Sequence, residues 1–471
     1  MHIRACTLLL LCGLSLSAAE KTGRPNIVFF LSDDQRFDQM RCAGHRILLT
    51  PTMDRLAAMG TRFQNAFVTT SICAASRATI LTGLYERSHK STFRTIPLAK
   101  KFSDLSYPTL LRKAGYRTGF IGKFGVSVQR GTQQQMFNFY KPLNRSPYFK
   151  KQKGGGKRHI TQICGDHAET FLKEQKKGQP FCLSISFNAP HAEDRDKKDH
   201  YPWPKSVDRL YTGVKVPPPE LNDPKIFESQ PDFLKKSLNR QRYFWRWDTP
   251  AKYQKNMIGY YRMISGVDHT MGRVLDMLQR YGLAKNTVVI FAADNGYYLA
   301  SRGFAGKWSH YEESLRVPII VYDPRLPRKE STKLADQMAL NVDIPATILD
   351  VAGVKAPKTY QGRSLMPLAR GAKPKDWRTD FFCEHLMHYP QGIPKWEGVR
   401  DQRWVYARYF EQKPVYEFLH DLKTDPKQLR NLAKDPKHAD QLKKMRKRSQ
   451  ELRDSLGGEY SLEKFPIRGR K

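Results

Sequence analysis

The sequence predicts an α/β protein: a large, mostly parallel sheet sandwiched by helices, then a small C-terminal subdomain with an antiparallel sheet and one helix. Three observations predict this class. Continuous apolar runs at 26–32 (NIVFFLS), 181–187 (FCLSISF) and 287–296 (TVVIFAADNG) read as strands buried on both faces, as parallel strands are. Segments of helical periodicity lie between them, and that alternation implies helices on both faces of the sheet. Beyond about residue 370 the strand-like pieces become short and follow one another directly, giving the chain an α+β ending.

Taken in order, the first strand ends in Asp33-Asp34. Thr50-Pro51-Thr52 opens a helix: a cap residue, a proline suited to the first turn, then Met53, Leu56 and Ala57 at helical spacing. Residues 108–113 read as a short helix with Pro108 in its first turn, and 117–121 as a short strand. Thr249-Pro250 opens a long helix whose stripe includes Tyr253, Met257, Tyr260, Ile264, Val267, Met271 and Leu275. The third strand ends in Asp294-Asn295, and 317–322 gives a fourth. In the C-terminal part, strand-like pieces fall at 379–383, 398–400, 404–408 and 415–419. A helix from about Pro436 carries Ala439, Leu442, Met445, Leu452 and Leu456 and stops at Gly457-Gly458. Gly154-Gly155-Gly156-Lys157 lacks the Ser or Thr of a phosphate loop and precedes no clear helix, so it reads as an exposed loop. The expected division is a leader at 1–19, a main domain at 20–370 and a C-terminal subdomain at 371–471, with no internal repeat.

The leader has the form of an export signal. His2 and Arg4 precede an apolar stretch from Thr7 to Leu16, and Ser17-Ala18-Ala19 supplies small residues for cleavage. That stretch is too short to span a bilayer and no later run is longer, so we expect a periplasmic or secreted protein without membrane insertion. Cleavage removes Cys6 and Cys12 and leaves Cys42, Cys73, Cys164, Cys182 and Cys383, an odd number. Such a set is no disulfide scaffold, and one thiol must lack an intramolecular partner. The formal net charge is +36, with 81 Lys and Arg against 45 Asp and Glu. This field attracts polyanions. Export argues against nucleic acid and for an anionic extracellular polymer, such as a sulfated or carboxylated polysaccharide. Basic clusters at 150–158 and 443–448 read equally as solvated faces. Nothing in the sequence specifies an oligomeric state.

Sites in parallel sheets form at the carboxyl ends of strands. Two strands here end in oxygen ligands, Asp33-Asp34 and Asp294-Asn295, a set suited to calcium or magnesium rather than zinc. The segment SICAASRATILTG, residues 71–83, places Cys73 where a helix begins and Arg77 one turn further on. That helix end favours an anion and lowers the pKa of a thiol placed there. Arg77 can hold Cys73 or an anion with its forked donors. A bare thiolate beside carboxylates and a hard cation remains a poor chemical match.

The segment from Cys73 to Arg77, followed by ATILTG, resembles the signature of the type I sulfatases of the alkaline phosphatase superfamily. The resemblance extends over nearly the whole mature chain, with RPNIVFFLSDDQ, GYRTGFIGKFG, PFCLSISFNAPH, VVIFAADNG, GKWSHYEESLRVPIIV and NVDIPATILDVAGV in the family's order. It implies an alkaline phosphatase-like fold and an exported sulfuric ester hydrolase. It also implies that a maturation enzyme oxidises Cys73 to formylglycine, an aldehyde whose hydrate is a gem-diol. One diol hydroxyl attacks the sulfur of a sulfate ester, and the second expels sulfate with no attack of water on sulfur. By motif, Asp33, Asp34, Asp294 and Asn295 correspond to ligands of one Ca²⁺, completed by Cys73 as formylglycine and steadied by Arg77. Lys123 corresponds to the lysine on the nucleophile and sulfate, and His191 and Lys307 to the pair beside the leaving oxygen, with His191 as general acid.

The chain departs from the family at two positions. Ala75 stands where proline is common, and Gly125 stands where the family commonly has a histidine that helps activate the diol. His310 is the candidate to replace it, with His89 weaker. Residues 192–250 are too long for a simple connection. Their Trp203, Trp245 and Trp247, among Arg and Lys, are expected to stack on sugar rings. The reading is thus a sulfatase acting on a sulfated glycan. Its rivals are a phosphodiesterase or phosphonate hydrolase of the same superfamily and an inactive glycan-binding protein.

Overall fold

The computed structural model describes residues 23–327, 334–389 and 392–468. The expected leader at 1–19 lies outside the described residues. The main sheet has eight strands, in the spatial order Leu334–Ala335, Thr61–Phe63, Ile319–Tyr322, Thr287–Ala293, Asn26–Ser32, Phe181–Ser186, Arg117–Gly122 and Phe139–Pro142. Asn26–Ser32 lies at its centre, parallel to both neighbours, with Val28 opposite Val289 on one side and Leu183 on the other. Every residue of that strand is buried, so the uninterrupted apolar run follows from having helices on both faces. The sheet is not wholly parallel. Ile319–Tyr322 runs antiparallel to both Thr287–Ala293 and Thr61–Phe63. The apolar run at 317–322 shows burial but carries no sign of direction, because burial does not depend on which way a strand points.

The long helix Pro250–Arg280 covers one face. Thr249 caps it, its side chain accepting from the Lys252 N–H at 3.2 Å. Met257, Tyr260, Ile264, Val267 and Met271 are buried along the expected stripe, and Tyr253 and Leu275 flank it half-buried. The helix Pro51–Met59 starts after Thr50 as expected, but Thr50 does not cap it. Asp268, on the long helix, accepts from the Thr52 and Met53 N–H groups at 3.0 and 2.8 Å and takes over that role. Two helices on the same face are thereby joined through a buried carboxylate.

The C-terminal sheet is antiparallel, in the order Asp380–His385, Trp396–Asp401, Trp404–Tyr409, Tyr416–Asp421. The helix Ala439–Ser455 lays Leu442 and Met445 on Val399, Tyr406 and Leu419. The other face joins the main core: Phe381, Trp396, Tyr409 and Phe418 belong to one apolar cluster with Phe67, Leu315 and Ile344. Gly154–Gly156 form the exposed tip between Phe149–Lys151 and Lys157–His159. Cys42, Cys73, Cys164, Cys182 and Cys383 are all free. Among the described residues no helix is long and apolar enough to cross a membrane.

Candidate active site

The carboxyl ends of the two central strands bring Asp33, Asp34, Asp294 and Asn295 side by side. The Asp34 N–H donates to Asp294 Oδ1 at 3.2 Å, and Asn295 Nδ2 donates to Asp34 Oδ1 at 2.6 Å. Asp34 sits at φ 64°, a left-handed conformation that Asp tolerates better than most residues and that clusters at functional sites. Tyr260, from the long helix, donates to its carbonyl at 2.8 Å and helps hold it there.

Cys73 is the first residue of the helix Cys73–Thr82 and is buried. Its Sγ lies 3.3 Å from Asp33 Oδ1, and Lys307 Nζ donates to it at 3.2 Å. Burial first, and then the Asp33 charge, push the thiol up to about 12. The lowering expected from the helix end is therefore overturned: the helix terminus cannot outweigh desolvation beside a carboxylate. A thiolate nucleophile is not what this pocket stabilises.

Arg77 donates from Nε to Asp294 Oδ2 at 2.7 Å, with Nη2 3.6 Å from Asp33 Oδ2, and from Nη1 to the Lys123 carbonyl at 2.6 Å and to Ser186 Oγ. Lys123 Nζ meets Asp33, and Lys307 Nζ meets Asp34. Burial alone would raise the Asp33 carboxyl, but Lys123, Arg77 and Lys307 together hold it at about 2. Burial and the neighbouring Asp33 push Asp294 up, against the pull of Arg77.

One ligand atom each from Asp33, Asp34, Cys73 and His191 lie within 4.8 Å of one another. Asp34 Oδ2 and Asn295 Oδ1 are buried without a hydrogen-bond partner. Unpartnered buried oxygens are costly, and two of them in an oxygen-rich cluster fit a hard cation. Three carboxylates face Arg77, Lys123 and Lys307, so a divalent cation would leave excess positive charge for an anionic substrate.

His191 joins this group, its Nε2 3.5 Å from Asp34 Oδ2 and its Nδ1 2.8 Å from the Ala192 carbonyl. Burial, then Arg145, Lys307 and Lys123, hold the imidazole well below its ordinary pKa. Arg145 contacts both ring nitrogens and reaches Asp194 at 3.0 Å, and Arg242 and Arg246 converge on the same carboxylate. Sequence reasoning missed these residues. Asp194, three residues after His191 in HAED, carried a local signal; Arg145 and Arg242 carried none, because the fold brings them in from distant segments.

Above the cluster opens a cavity of about 1080 Å³ lined by Cys73, Lys123, His191 and Lys307. The other expected residues lie outside its lining. His310 is buried beneath the C-terminal sheet, with Nδ1 3.0 Å from the Tyr409 hydroxyl and Nε2 3.3 Å from His420 Nε2. His89 is held by Thr79 Oγ1 at 3.1 Å and the Ser91 N–H at 3.0 Å. Neither reaches Cys73 in place of the histidine absent at Gly125. Gly125 itself has φ 71°, and a Cβ there would come 2.8 Å from Arg77 Cδ. The backbone thus excludes a side chain at this position, and Arg77 occupies the space.

The insertion tryptophans are also spent on packing. Trp203 donates to Asp208 at 2.6 Å and lies under Arg262. Trp247 is buried against Tyr201 and Tyr253. Trp245 carries Lys197 on its ring at 3.8 Å. The tryptophan that does line the cavity is Trp308, next to Lys307, held at φ 82° with its carbonyl accepting from Trp396 Nε1 at 2.7 Å.

Comparison with known proteins agrees with this geometry. The sulfatase family model matches residues 25–354. The chain belongs to the sulfatase family. It has the alkaline phosphatase-like fold and the sulfuric ester hydrolase activity of that family. A model of the N-sulphoglucosamine sulphohydrolase C-terminal region matches residues 301–455 of this sulfatase. An N-acetylglucosamine-6-O-sulfatase of Bacteroides thetaiotaomicron is 29% identical over 91% of this chain and 87% of its own length. A solved structure of a protein in complex with its substrate D-glucosamine-2-N,6-O-disulfate has a TM-score of 0.78 at 25% identity, covering 92% of this sulfatase and 98% of that chain. A phosphonate monoester hydrolase from Silicibacter pomeroyi has a TM-score of 0.77 at 21% identity, covering 92% and 96%, and shares the fold.

Proposed function

We propose that this sulfatase is exported and hydrolyses sulfate esters on a sulfated glycan, using residue 73 as formylglycine. The observation that carries the reading is the meeting of Cys73, Lys307 and Asp33 within 3.3 Å at the floor of a large cationic cavity. Asp33, Asp34, Asp294 and Asn295, with residue 73, would hold one Ca²⁺, which polarises an oxygen at position 73 and offsets charge on the sulfuryl group. Lys123 and Lys307 hold the sulfuryl oxygens with charge-assisted hydrogen bonds. Arg77 fixes Asp294 and Asp33 so that their oxygens do not reorganise during the reaction. His191, with Lys307 beside it, delivers the proton to the departing sugar oxygen, its ring held by Arg145 and the Ala192 carbonyl. Trp308, whose indole N–H is buried without a partner, offers a ring and a donor to the sugar. The leader supports export, and the saccharide-directed relative and the disulfated ligand of the structural neighbour support a glycan.

Two measurements test this. The peptide containing residue 73, taken from protein of the native host, should be lighter by the exchange of H₂S for O. Turnover of 4-nitrophenyl sulfate should exceed that of an aryl phosphate diester or phosphonate monoester by at least about a hundredfold, a difference of roughly 2.7 kcal/mol in the barrier. An unmodified thiol together with no aryl sulfate turnover would leave a glycan-binding protein, and the reverse preference among esters would leave a phosphoryl hydrolase.

A further inference from the structure

The rim of the cavity carries positive charge that the sulfuryl chemistry leaves unused. Lys123, Lys307, Arg145 and Arg242 all face carboxylates within the site. Arg94 and Arg468 also line the cavity, and neither has a carboxylate partner among the described residues. The two are neighbours by construction. Thr95 and Ile467 form an antiparallel bridge, flanked by Arg468 N–H to Arg94 O at 2.8 Å and Ile96 N–H to Pro466 O at 3.2 Å. That register sets Arg94 opposite Arg468. Like charges facing each other across paired strands repel and lower stability unless an anion lies between them. Arg94 is further held at φ 69°, a conformation uncommon for a residue with a long side chain, with its guanidinium over the Tyr389 ring at 4.7 Å. A second observation points the same way. Thr92, in the same cavity wall and only 4% exposed, keeps its hydroxyl buried with no hydrogen-bond partner.

We propose that Arg94 and Arg468, with Thr92, form a subsite for a second anionic group of the glycan, a sulfate or a carboxylate carried apart from the sulfate being cleaved. The substrate class is then a glycan bearing at least two anions. Paired guanidiniums match the planar or tetrahedral oxygens of either group through forked hydrogen bonds. The subsite is assembled from two distant parts of the chain, one just after the helix Cys73–Thr82 and one beyond the C-terminal sheet, so recognition of the second anion also ties the C-terminal strap to the cavity rim. This inference rests on the sulfatase reading above, and the experiment separates the two.

The probes are competitors of 4-nitrophenyl sulfate hydrolysis: inorganic sulfate, a tetrasaccharide of heparin type carrying sulfates and carboxylates, and a tetrasaccharide of carrageenan type carrying sulfates alone. The matured full-length protein is compared with R94Q, R468Q, the double variant R94Q/R468Q and the charge-keeping R94K/R468K. We expect the double Gln variant to raise the inhibition constant of at least one tetrasaccharide about tenfold or more, with a shallower salt dependence. The inhibition constant of inorganic sulfate should change less than threefold, and the Lys pair should recover part of the loss. The thermal midpoint of R468Q should equal or exceed that of the unsubstituted protein, since one of two facing charges is gone. Loss with the heparin-type probe alone assigns the carboxylate, and loss with both assigns sulfate. The proposal is overturned if the double variant binds every probe as the parent does, if it weakens sulfate and tetrasaccharides equally, or if neither tetrasaccharide binds the parent more tightly than inorganic sulfate. Should the parent fail to cleave the aryl sulfate, the sulfatase reading falls, and calorimetric binding of the same tetrasaccharides still decides the subsite.

Discussion

Residue 125 is where this chain differs most consequentially from the pattern it resembles. The usual histidine is replaced by a glycine whose φ of 71° and close approach to Arg77 leave no space for a β-carbon. The groups in contact with the residue 73 side chain are instead Asp33 and Lys307. Burial lowers and the surrounding carboxylates, Asp34 foremost, raise the Lys307 pKa, leaving it well above the ordinary lysine value, so it acts as a fixed positive charge rather than a base. Even the smallest side chain at 125 must therefore displace Arg77 from Asp294. We expect Gly125→Ala to cost about 1–3 kcal/mol of stability through backbone strain alone and to lower kcat on 4-nitrophenyl sulfate at least about tenfold. Thermal melts and steady-state kinetics check this. A Gly125→Ala protein with unchanged melting and unchanged kcat would show that the backbone there adjusts freely.

At the scale of an element, the helix Ile160–Lys173 is capped in an uncommon way. His159 Nδ1 accepts from the Thr161 N–H at 3.2 Å, and Nε2 lies 3.1 Å from the Pro202 carbonyl, a pairing that requires the neutral ring protonated on Nε2. The imidazole stacks on Tyr148 at 5.1 Å. Burial depresses its pKa to about 3, against a small opposing pull from Pro202. Protonation would remove the cap and place positive charge at a helix N-terminus. The folded state thus refuses a proton that the unfolded state accepts below about pH 6.5. Stability should be insensitive to this group above that pH and fall on acidification between about 6.5 and 3, by up to about 1.4 kcal/mol per pH unit. His159→Asn keeps a capping oxygen but cannot titrate. Urea midpoints from pH 7.5 to 5 should therefore decline less steeply in the variant, whatever packing it loses at neutral pH. Parallel curves for the two proteins would remove His159 from the account.

For the whole molecule, the site is a junction between distant strands, the helix Cys73–Thr82 and the residues around Lys307. A cation held by Asp33, Asp34, Asp294 and Asn295 would bind the folded chain and not the unfolded one. It should stabilise by about 2.7 kcal/mol at a hundredfold excess over its dissociation constant. Dialysis against a chelator should lower the thermal midpoint and abolish aryl sulfate turnover, and calcium should restore both. A midpoint indifferent to chelator and to calcium would take the cation out of the site.

Much of this protein is written locally in its sequence. Apolar runs such as Asn26–Ser32 and the stripe on Pro250–Arg280 announce burial, because periodicity records how many faces of an element are covered. Asp33-Asp34, Asp294-Asn295 and Cys73 with Arg77 stand out because their neighbours are adjacent in the chain and the structure sets them side by side. What the tertiary structure alone decides is partnership between segments far apart. Direction in the strand Ile319–Tyr322, Asp268 capping another helix, Arg145 on His191, Trp308 rather than Trp245 in the cavity wall, and Arg94 opposite Arg468 are of this kind. Side chains of the same type serve equally well as packing or as lining, and only the folded chain fixes which surface each one meets.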